Sequence, residues 1–509
     1  MSEEEKRYAD RAFQWVMCAI HPLESKILLP AICQDESSSI LEPLELTEDL
    51  ALKYCHNLLL VDPVRKVWVP SHLSVIEYLE DHRWSQSQAN CLVASVCLLL
   101  LQNTVLYNRE EDWGNYTSVR DSSEDSPGPY TFKETQISQN ELRDPLYEQG
   151  FGYFSAYARH HWLLHAKKSS GIDSKSRMST LLEDFLGLPT ESSLAYRCWH
   201  RMVSKDYRLW RPESLIFRYP FHPNLITPAS MASFAYCAFD LAVILPDWYH
   251  LDWVKDDNRT DRGYTFLEIT AHSRSIHTCR NLIKHGAEVN AQTESFAGSV
   301  LATAAYRGEK EVVEFLVKEG RAEIDMQLQN WGYGSALAAA ACSGEKEVVE
   351  LLVKEGAEVD MQLKYNRGYN GSALSAAAST GEKDLVEFLV KEGGADVNMQ
   401  LENGPFGSAL AAVAYGEVKE VVELLVKECG AKVNMRLKRG QYGSALAAAA
   451  YSGAKEVVEF LVKEGGADVN MRLDHGEYIS ALAAATVRGV KGTRQKELVG
   501  FLVAEGAVE

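Results

Sequence analysis

Residues 309–320 read EKEVVEFLVKEG, and Val312, Val313, Leu316 and Val317 fall at i, i+3/i+4 spacing. That spacing predicts a helix with one buried apolar stripe and with Glu309, Lys310, Glu314 and Lys318 on the opposite face. The same phrase returns after 36 or 37 residues, with Gly-Ser anchors at Gly298, Gly334, Gly371, Gly407 and Gly443 and with Ile479-Ser480 in the same place last. A weaker copy, 264–292, precedes them, so seven copies are expected from 262 to 509. A fixed period of this length marks stacked supersecondary units.

Each copy opens with a serine (Ser299, Ser335, Ser372, Ser408, Ser444, Ser480) ahead of an alanine-rich run such as Ala338–Ala341. The serine hydroxyl is suited to accept from the free N–H groups of a starting helix. Alanine favours the helix and lets neighbouring helices approach closely. A turn containing Gly308, Gly344, Gly381 or Gly453 leads to the amphipathic helix; Gly416 breaks that register in one copy. The second helix is expected to end in left-handed glycines at Gly320, Gly356, Gly393, Gly430 and Gly465. Asp325, Asp360, Asn398, Asn434 and Asn470 follow at turn positions. Glu314/Lys318, Glu350/Lys354, Glu387/Lys391, Glu423/Lys427 and Glu459/Lys463 place acid before base at i, i+4 on a solvated face.

Helix, turn, helix, Gly-Ala-Asp loop and projecting hairpin resemble ankyrin repeats, and "GAEVNAQ" and "GGADVN" are similar to that family's signature. Two features depart from it. Ser-Ala-Leu-Ala stands where the family has Thr-Pro-Leu-His, and the period exceeds the usual one of about 33 residues, which should lengthen the hairpin tip. In this family the residues ending the inner helix face a concave groove where partners bind. The resemblance thus implies a recognition surface at the positions that change between copies: Tyr306, Arg307, Cys342, Ser343, Ser379, Thr380, Tyr415, Tyr451, Ser452 and Arg488 at helix ends, with Trp331, Tyr333, Tyr365, Arg367, Phe406 and Tyr442 at hairpin tips. Aromatic residues and arginine are common interface anchors. The alternative is that exposed positions simply drift.

Residues 1–103 form a separate apolar unit. Arg11–Asp35 predicts two helices broken at Pro22. Further on, a helix, a strand ending near Val61, a turn centred on Pro63, a strand through Trp68 and Val69, and a helix from Ser71 suggest a winged-helix domain. Trp15, Pro22-Leu23, Ala31, the run Cys55–Leu59 and "HLSVIEYL" (72–79) resemble the winged-helix region that follows the nucleotidase in fungal NACHT-ankyrin proteins, named for similarity to GPI inositol-deacylase. "FSAYARHHWLLHA" (154–166) and "YRCWHRM" (196–202) are similar to the helical segments those proteins place before the repeats. The chain contains neither the GxxxxGK[ST] phosphate loop nor a GxSxG nucleophile turn. It reads as a shortened relative or as a sequence that has lost its front. Residues 104–145 are polar and read as a linker; 146–260 is a helical region, with a degenerate capping repeat at about 228–260.

The expected class is therefore mainly α, with a winged-helix-like start, a helical middle and an ankyrin solenoid. The formal net charge of −19 over 509 residues argues against a nucleic-acid partner, because phosphate neutralisation needs a basic face. The most apolar segment, Cys91–Leu101, is about half a bilayer-spanning helix and reads as a core helix, so no membrane partner is expected. Ten scattered cysteines without a CxxC pair suggest buried thiols in a reducing compartment, the cytoplasm or the nucleus. His161 and His165 have the i, i+4 spacing of zinc ligands, but Trp162 replaces the glutamate of HExxH and no third ligand follows. They read as packing histidines, as do His56 and His72.

No catalytic, cofactor or metal residues are identified. The leading expectation is a non-enzymatic module that binds a protein in its ankyrin groove, in NLR-like signalling. A regulatory fragment of a nucleotide-switched NACHT receptor is the alternative, and a DNA-binding regulator is weaker still.

Overall fold

The computed structural model describes residues 2–103, 151–169, 176–209, 223–250, 252–255, 259–260, 263–329, 333–364, 371–487 and 493–508. The chain divides into two compact units, Met1–Trp248 and Tyr249–Glu509. In the first, α1 (Glu3–Cys18), α2 (Ser25–Cys33) and α3 (Glu48–Tyr54) precede an antiparallel pair, β1 (Leu59–Val61) and β2 (Trp68–Pro70), with Leu60 opposite Val69. The strands are only three residues long, and α4 (Leu73–His82) follows them, its N-terminus capped by the His72 ring. The break at Pro22, the Pro63 turn and the strand through Trp68 lie where the pattern put them. Then come α5 (Gln86–Asn103), α6 (Gly152–Lys168), α7 (Arg177–Leu186), α8 (Leu194–Leu209) and α9 (Ala232–Phe239). The expected linker, 104–145, lies outside the described residues.

Helix α5 is the centre of this unit. Val93–Leu101 is buried on every side, and α1, α6 and α7 pack around it, as expected of a helix without a polar face. Among the described residues no single helix is long and apolar enough to cross a membrane. Trp15 meets Phe154 edge-on at 5.7 Å, and Trp162 meets Phe185, Trp199 and Phe239 at 5.4, 5.8 and 5.8 Å. The Phe239 contact makes α9 a helix of the first unit. The segment read as a capping repeat, 228–260, is thus split by the boundary after Trp248.

His165 is fully buried and satisfied at both ring nitrogens, Nδ1 lying 2.8 Å from Asn90 Oδ1 and Nε2 2.8 Å from the Tyr157 hydroxyl. His161 is also buried, yet neither of its ring nitrogens has a hydrogen-bond partner. It packs on Tyr157 at 4.6 Å and on His21 at 5.4 Å. Both are packing residues.

The second unit holds seven helix pairs: α10 (Phe266–His272) and α11 (Ile276–Lys284), α12 (Val300–Tyr306) and α13 (Lys310–Lys318), α14 (Ala336–Ser343) and α15 (Lys346–Lys354), α16 (Ala373–Thr380) and α17 (Lys383–Lys391), α18 (Ala409–Tyr415) and α19 (Lys419–Glu423), α20 (Ala445–Ser452) and α21 (Lys455–Lys463), α22 (Ala481–Val487) and α23 (Thr493–Ala504). All six serines cap as expected: the N–H three residues on donates to each hydroxyl at 3.1–3.2 Å. On α13 the buried face is Val312, Val313, Phe315 and Leu316, whereas Val317 is half-exposed.

The helix stops differ from expectation by one residue in most copies. Only Gly356 and Gly430 are left-handed; in the others Arg321, Gly394 and Gly466 take that conformation, one position after Gly320, Gly393 and Gly465. Those three glycines are required for a different reason. A Cβ on them would lie 2.9, 2.7 and 2.8 Å from the carbonyl oxygens of Leu316, Leu389 and Leu461. Cys429 occupies the equivalent position in the α19 copy, and there the helix widens into a π turn over Leu424–Glu428. The displaced Gly416 has a consequence too, because Glu417 must adopt the left-handed φ of +63°.

Two polar ladders join successive copies. Asn434 Oδ1 accepts from the Asp468 N–H at 2.8 Å while its Nδ2 donates to the Gly466 carbonyl at 2.9 Å; Asn398 and Asn470 do the same in their copies. Gln292, Gln327, Gln362 and Gln400 each donate to a backbone carbonyl of the next copy at 2.9–3.5 Å. The charge pairs are rearranged as well. Glu314–Lys318 and Glu387–Lys391 form within a helix, at 2.6 and 2.7 Å. Elsewhere Glu350 and Glu423 turn to Lys346 and Lys419, Lys427 reaches Glu464 of the next copy, and Lys463 lies over the Phe501 ring. Adjacent parallel helices bring Glu464 within reach of Lys427 and Phe501 within reach of Lys463, so lateral pairing competes with pairing along one helix.

Asn434→Ala removes both lateral bonds and should lower stability by about 1–2 kcal/mol, read as a shift of the repeat transition in urea. In the first unit, burial foremost and the neighbouring imidazoles next pull the pKa of His161 and His165 from 6.5 to about 3. The unfolded chain therefore binds protons below pH 6.5 that the folded chain refuses. Stability is retained above that pH and is lost as pH falls toward 3. Tryptophan-detected unfolding should show the midpoint dropping between pH 7 and 5. His161→Phe, which replaces an unsatisfied ring with an apolar one, should raise stability by about 1 kcal/mol at pH 7 and flatten that slope.

Candidate partner-binding surface

Serine caps start six of the seven inner helices at the same place, and Thr265 caps α10, so the inner helices also end in register. Tyr306 closes α12, Cys342-Ser343 closes α14, Ser379-Thr380 closes α16, Tyr415 closes α18 and Tyr451-Ser452 closes α20. Arg307, Ser379 and Thr380 are exposed, and Tyr306, Cys342, Ser343, Tyr415, Tyr451 and Ser452 are half-buried. Tyr333, Phe406 and Tyr442 sit at the base of the hairpin tips, immediately before the Gly-Ser anchors. Trp331, Tyr365, Arg367 and Arg488 lie outside the described residues.

The structure joins the two sets into one wall of rings. In the later copies Phe406, Tyr442 and Tyr478 form a row, with successive rings at 6.0 and 6.3 Å and parallel within 18°. Tyr415 and Tyr451 form a second row at 6.4 Å, interleaved with the first at 5.2–5.5 Å. Phe406, Tyr442 and Tyr478 are buried at 5, 4 and 8 % exposure, so they are the wall's backing and the helix-end tyrosines its open side. A second cluster gathers Tyr306 against Tyr333 at 4.8 Å, both touched edge-on by the exposed Phe296.

Phe296 and Tyr478 were not among the candidate residues. Tyr478 was detectable from its place before the anchor position, and Phe296 lies one residue off that register, two residues before Gly298.

The tips need close approach to hold this wall. Gly407 and Gly443 have φ of +73° and +72°, and a side chain on either would collide with the backbone of the next tip. The Gln441 N–H donates to the Pro405 carbonyl at 2.6 Å and the Glu477 N–H to the Gln441 carbonyl at 2.7 Å, tying three tips together. Burial, with neighbouring tyrosines second, pushes the Tyr442 phenol well above its ordinary pKa of 10 and that of Tyr478 up to about 12, so both rings stay neutral.

Between the two ring clusters the rungs are small and their hydroxyls turn inward. Ser379 donates to the Ala376 carbonyl at 2.7 Å and Thr380 to that of Ala377 at 2.8 Å. Among the described residues no group of three His, Cys, Asp or Glu could hold a metal ion.

The two tiers of this surface should respond differently to mutation. Tyr442→Ala empties a buried ring site and should cost about 3 kcal/mol in urea unfolding. Arg307→Ala and Thr380→Ala should stay within about 0.5 kcal/mol of the parent.

The family model described as "Ankyrin repeats" matches three times, at residues 267–363, 301–401 and 374–473. Among solved structures the human ASB11 ankyrin repeat domain is similar at 22% identity over 48% of this chain and all of that one, with a TM-score of 0.38. No curated protein matches the sequence. The matched copies coincide with the helix pairs, serine caps and hairpins described above, and residues 267–473 of this chain are ankyrin repeats.

Proposed function

We propose that the protein is a non-enzymatic binding module that captures a protein partner on the surface formed by the inner-helix ends and hairpin bases. One observation carries this reading: the described helix-end positions that differ between copies, from Tyr306 to Ser452, recur in register at the ends of successive inner helices of a scaffold whose outer helices hardly change. The ankyrin repeats support it, since such repeats generally serve as protein-binding scaffolds.

Placement in NLR-like signalling rests on the resemblance of residues 1–103. Three helices followed by a two-stranded antiparallel wing support the winged-helix reading. In that reading residues 1–103 serve as a platform, in keeping with the net charge of −19 and the lack of a basic recognition helix among them. The ten cysteines, all free thiols, suit a reducing compartment, the cytoplasm or the nucleus.

The full chain carrying Arg307→Glu, Ser379→Glu and Thr380→Glu should keep its melting temperature and lose at least 10-fold in partner capture relative to the parent. Unchanged capture at unchanged stability would place the binding surface elsewhere.

A further inference from the structure

We propose that the groove beside the π turn of the α19 copy takes an acidic segment of a partner protein, one that sets an apolar side chain between carboxylates. None of the residues lining this groove belongs to the helix-end surface described above, so it is a second docking site. The groove measures about 740 Å³ and is lined by Val426, Val433 and Met435, with Gln400 and Lys432 among its polar residues. Val426 lies within the π turn Leu424–Glu428, where Cys429 replaces the glycine found at Gly320, Gly393 and Gly465. Turns of this kind within helices occur frequently at functional sites.

Charge is the second observation. Residues 430–442 carry four cations, Lys432, Arg436, Lys438 and Arg439, and no acid. The matching segment before them, 394–406, carries two acids and no cation, and the one after, 466–478, carries three acids and one arginine. At the place of Lys432 other copies have Glu288, Glu323, Glu358, Asp396 and Asp468. The sign is reversed there in this copy alone, on a chain whose net charge is −19. Arg436 and Lys438 are tied to the groove through Gln400, whose Nε2 donates to the Arg436 carbonyl at 3.3 Å and whose Oε1 accepts from the Lys438 N–H at 3.4 Å.

Third, these cations lack counter-charges. Lys432 and Lys438 are exposed and, among the described residues, their ammonium groups meet no carboxylate. Lysines of the outer helices differ: Lys318, Lys391, Lys427 and Lys455 each hold a glutamate at 2.6–2.8 Å. Carboxylates of the neighbouring copies are already engaged. Asp396 and Asp468 accept from the Asn398 and Asn470 N–H groups, both at 2.9 Å, while Glu428 and Glu464 meet Lys391 and Lys427 at 2.8 and 2.7 Å. Arg436 pairs with Asp474 at 3.0 Å, but both side chains are largely exposed, and a surface pair of that kind is weak enough for a better acceptor to displace. Complementary charge would steer an acidic segment to this place, and the aliphatic lining would desolvate its apolar side chain. A nucleic-acid strand fits less well, since single strands are held by bases stacked on aromatic rings and the lining contains no ring.

The test is fluorescence anisotropy of the full chain at low salt with four labelled probes: a short peptide in which Asp and Glu flank a central Leu-Phe pair, the same peptide with Asn and Gln for the acids, the acidic peptide with Gly-Ser for Leu-Phe, and oligothymidylate. The first should bind saturably, at least 10-fold tighter than the second and at least 3-fold tighter than the third, and should weaken as salt rises. Lys432→Asp/Lys438→Glu gives those positions the acids that the preceding copy carries as Asp396 and Glu402, so the fold tolerates them. It should weaken binding at least 10-fold at an unchanged melting temperature, whereas Arg307→Glu/Ser379→Glu/Thr380→Glu should leave binding unchanged. No saturable binding, or binding that Lys432→Asp/Lys438→Glu leaves intact, overturns the inference, as does tighter oligothymidylate binding that the same variant abolishes. Loss of binding in the Arg307 variant instead would move the peptide to the helix-end surface and overturn it too.

Discussion

The structure of the repeat unit depends on the close approach of neighbouring inner helices, which their small, mostly alanine side chains permit. Ala338–Ala341, Ala376–Ala378 and Ala447–Ala450 are buried almost completely, and each inner helix lies against the next. Thr303 and Val413 are also accommodated there, buried, and a bulkier residue would push two copies apart and stretch the lateral bonds beside it. Because the spacing is held at the inner helices, Asn434 can span to Gly466 and Asp468, and Gln400 to the carbonyl of Arg436. The stack thus behaves as a one-dimensional array in which each copy is stabilised mainly by its neighbours.

Stability and recognition are not cleanly separated in such an array. Phe406 and Tyr442 hold the hairpin tips down onto the inner helices, and the same rings back the half-exposed Tyr415 and Tyr451. A surface built this way is rigid before any partner arrives, which lowers the entropy lost on binding. The small rungs at Cys342-Ser343 and Ser379-Thr380 have a different character. Their hydroxyls are satisfied within their own helices, so they can vary without disturbing the stack.

The N-terminal unit solves its packing differently. There α5, apolar from Val93 to Leu101 but for Ser95, is packed on by α1, α6 and α7, and the polar groups buried among these helices must be paired inside. His165, Asn90 and Tyr157 achieve this as a closed chain of hydrogen bonds. His161 does not, and it survives as a neutral aromatic ring among other rings.

The repeat length, the serine caps, the buried Val-Val-x-x-Leu face and the inward alanine run follow from rules that act within about four residues, and the sequence alone determined them. The break at Pro22 and the turn at Pro63 belong with these, since proline acts on its own backbone. The places where each inner helix ends were also evident, and with them the row of Tyr306, Tyr415 and Tyr451. What only the tertiary structure decided involves residues 32–42 positions apart: whether Lys427 pairs with Glu423 or Glu464, that the repeated glutamines form a ladder, and that Phe406 and Tyr442 are buried backing and not open surface. The stop positions at Gly320, Gly393 and Gly465 shift by one residue for a local reason that letters do not show, the distance from a missing Cβ to a carbonyl oxygen. Periodicity reveals that a residue recurs, but whether it faces a neighbour or solvent depends on the separation and tilt between copies, and those are set only when the alanine faces meet.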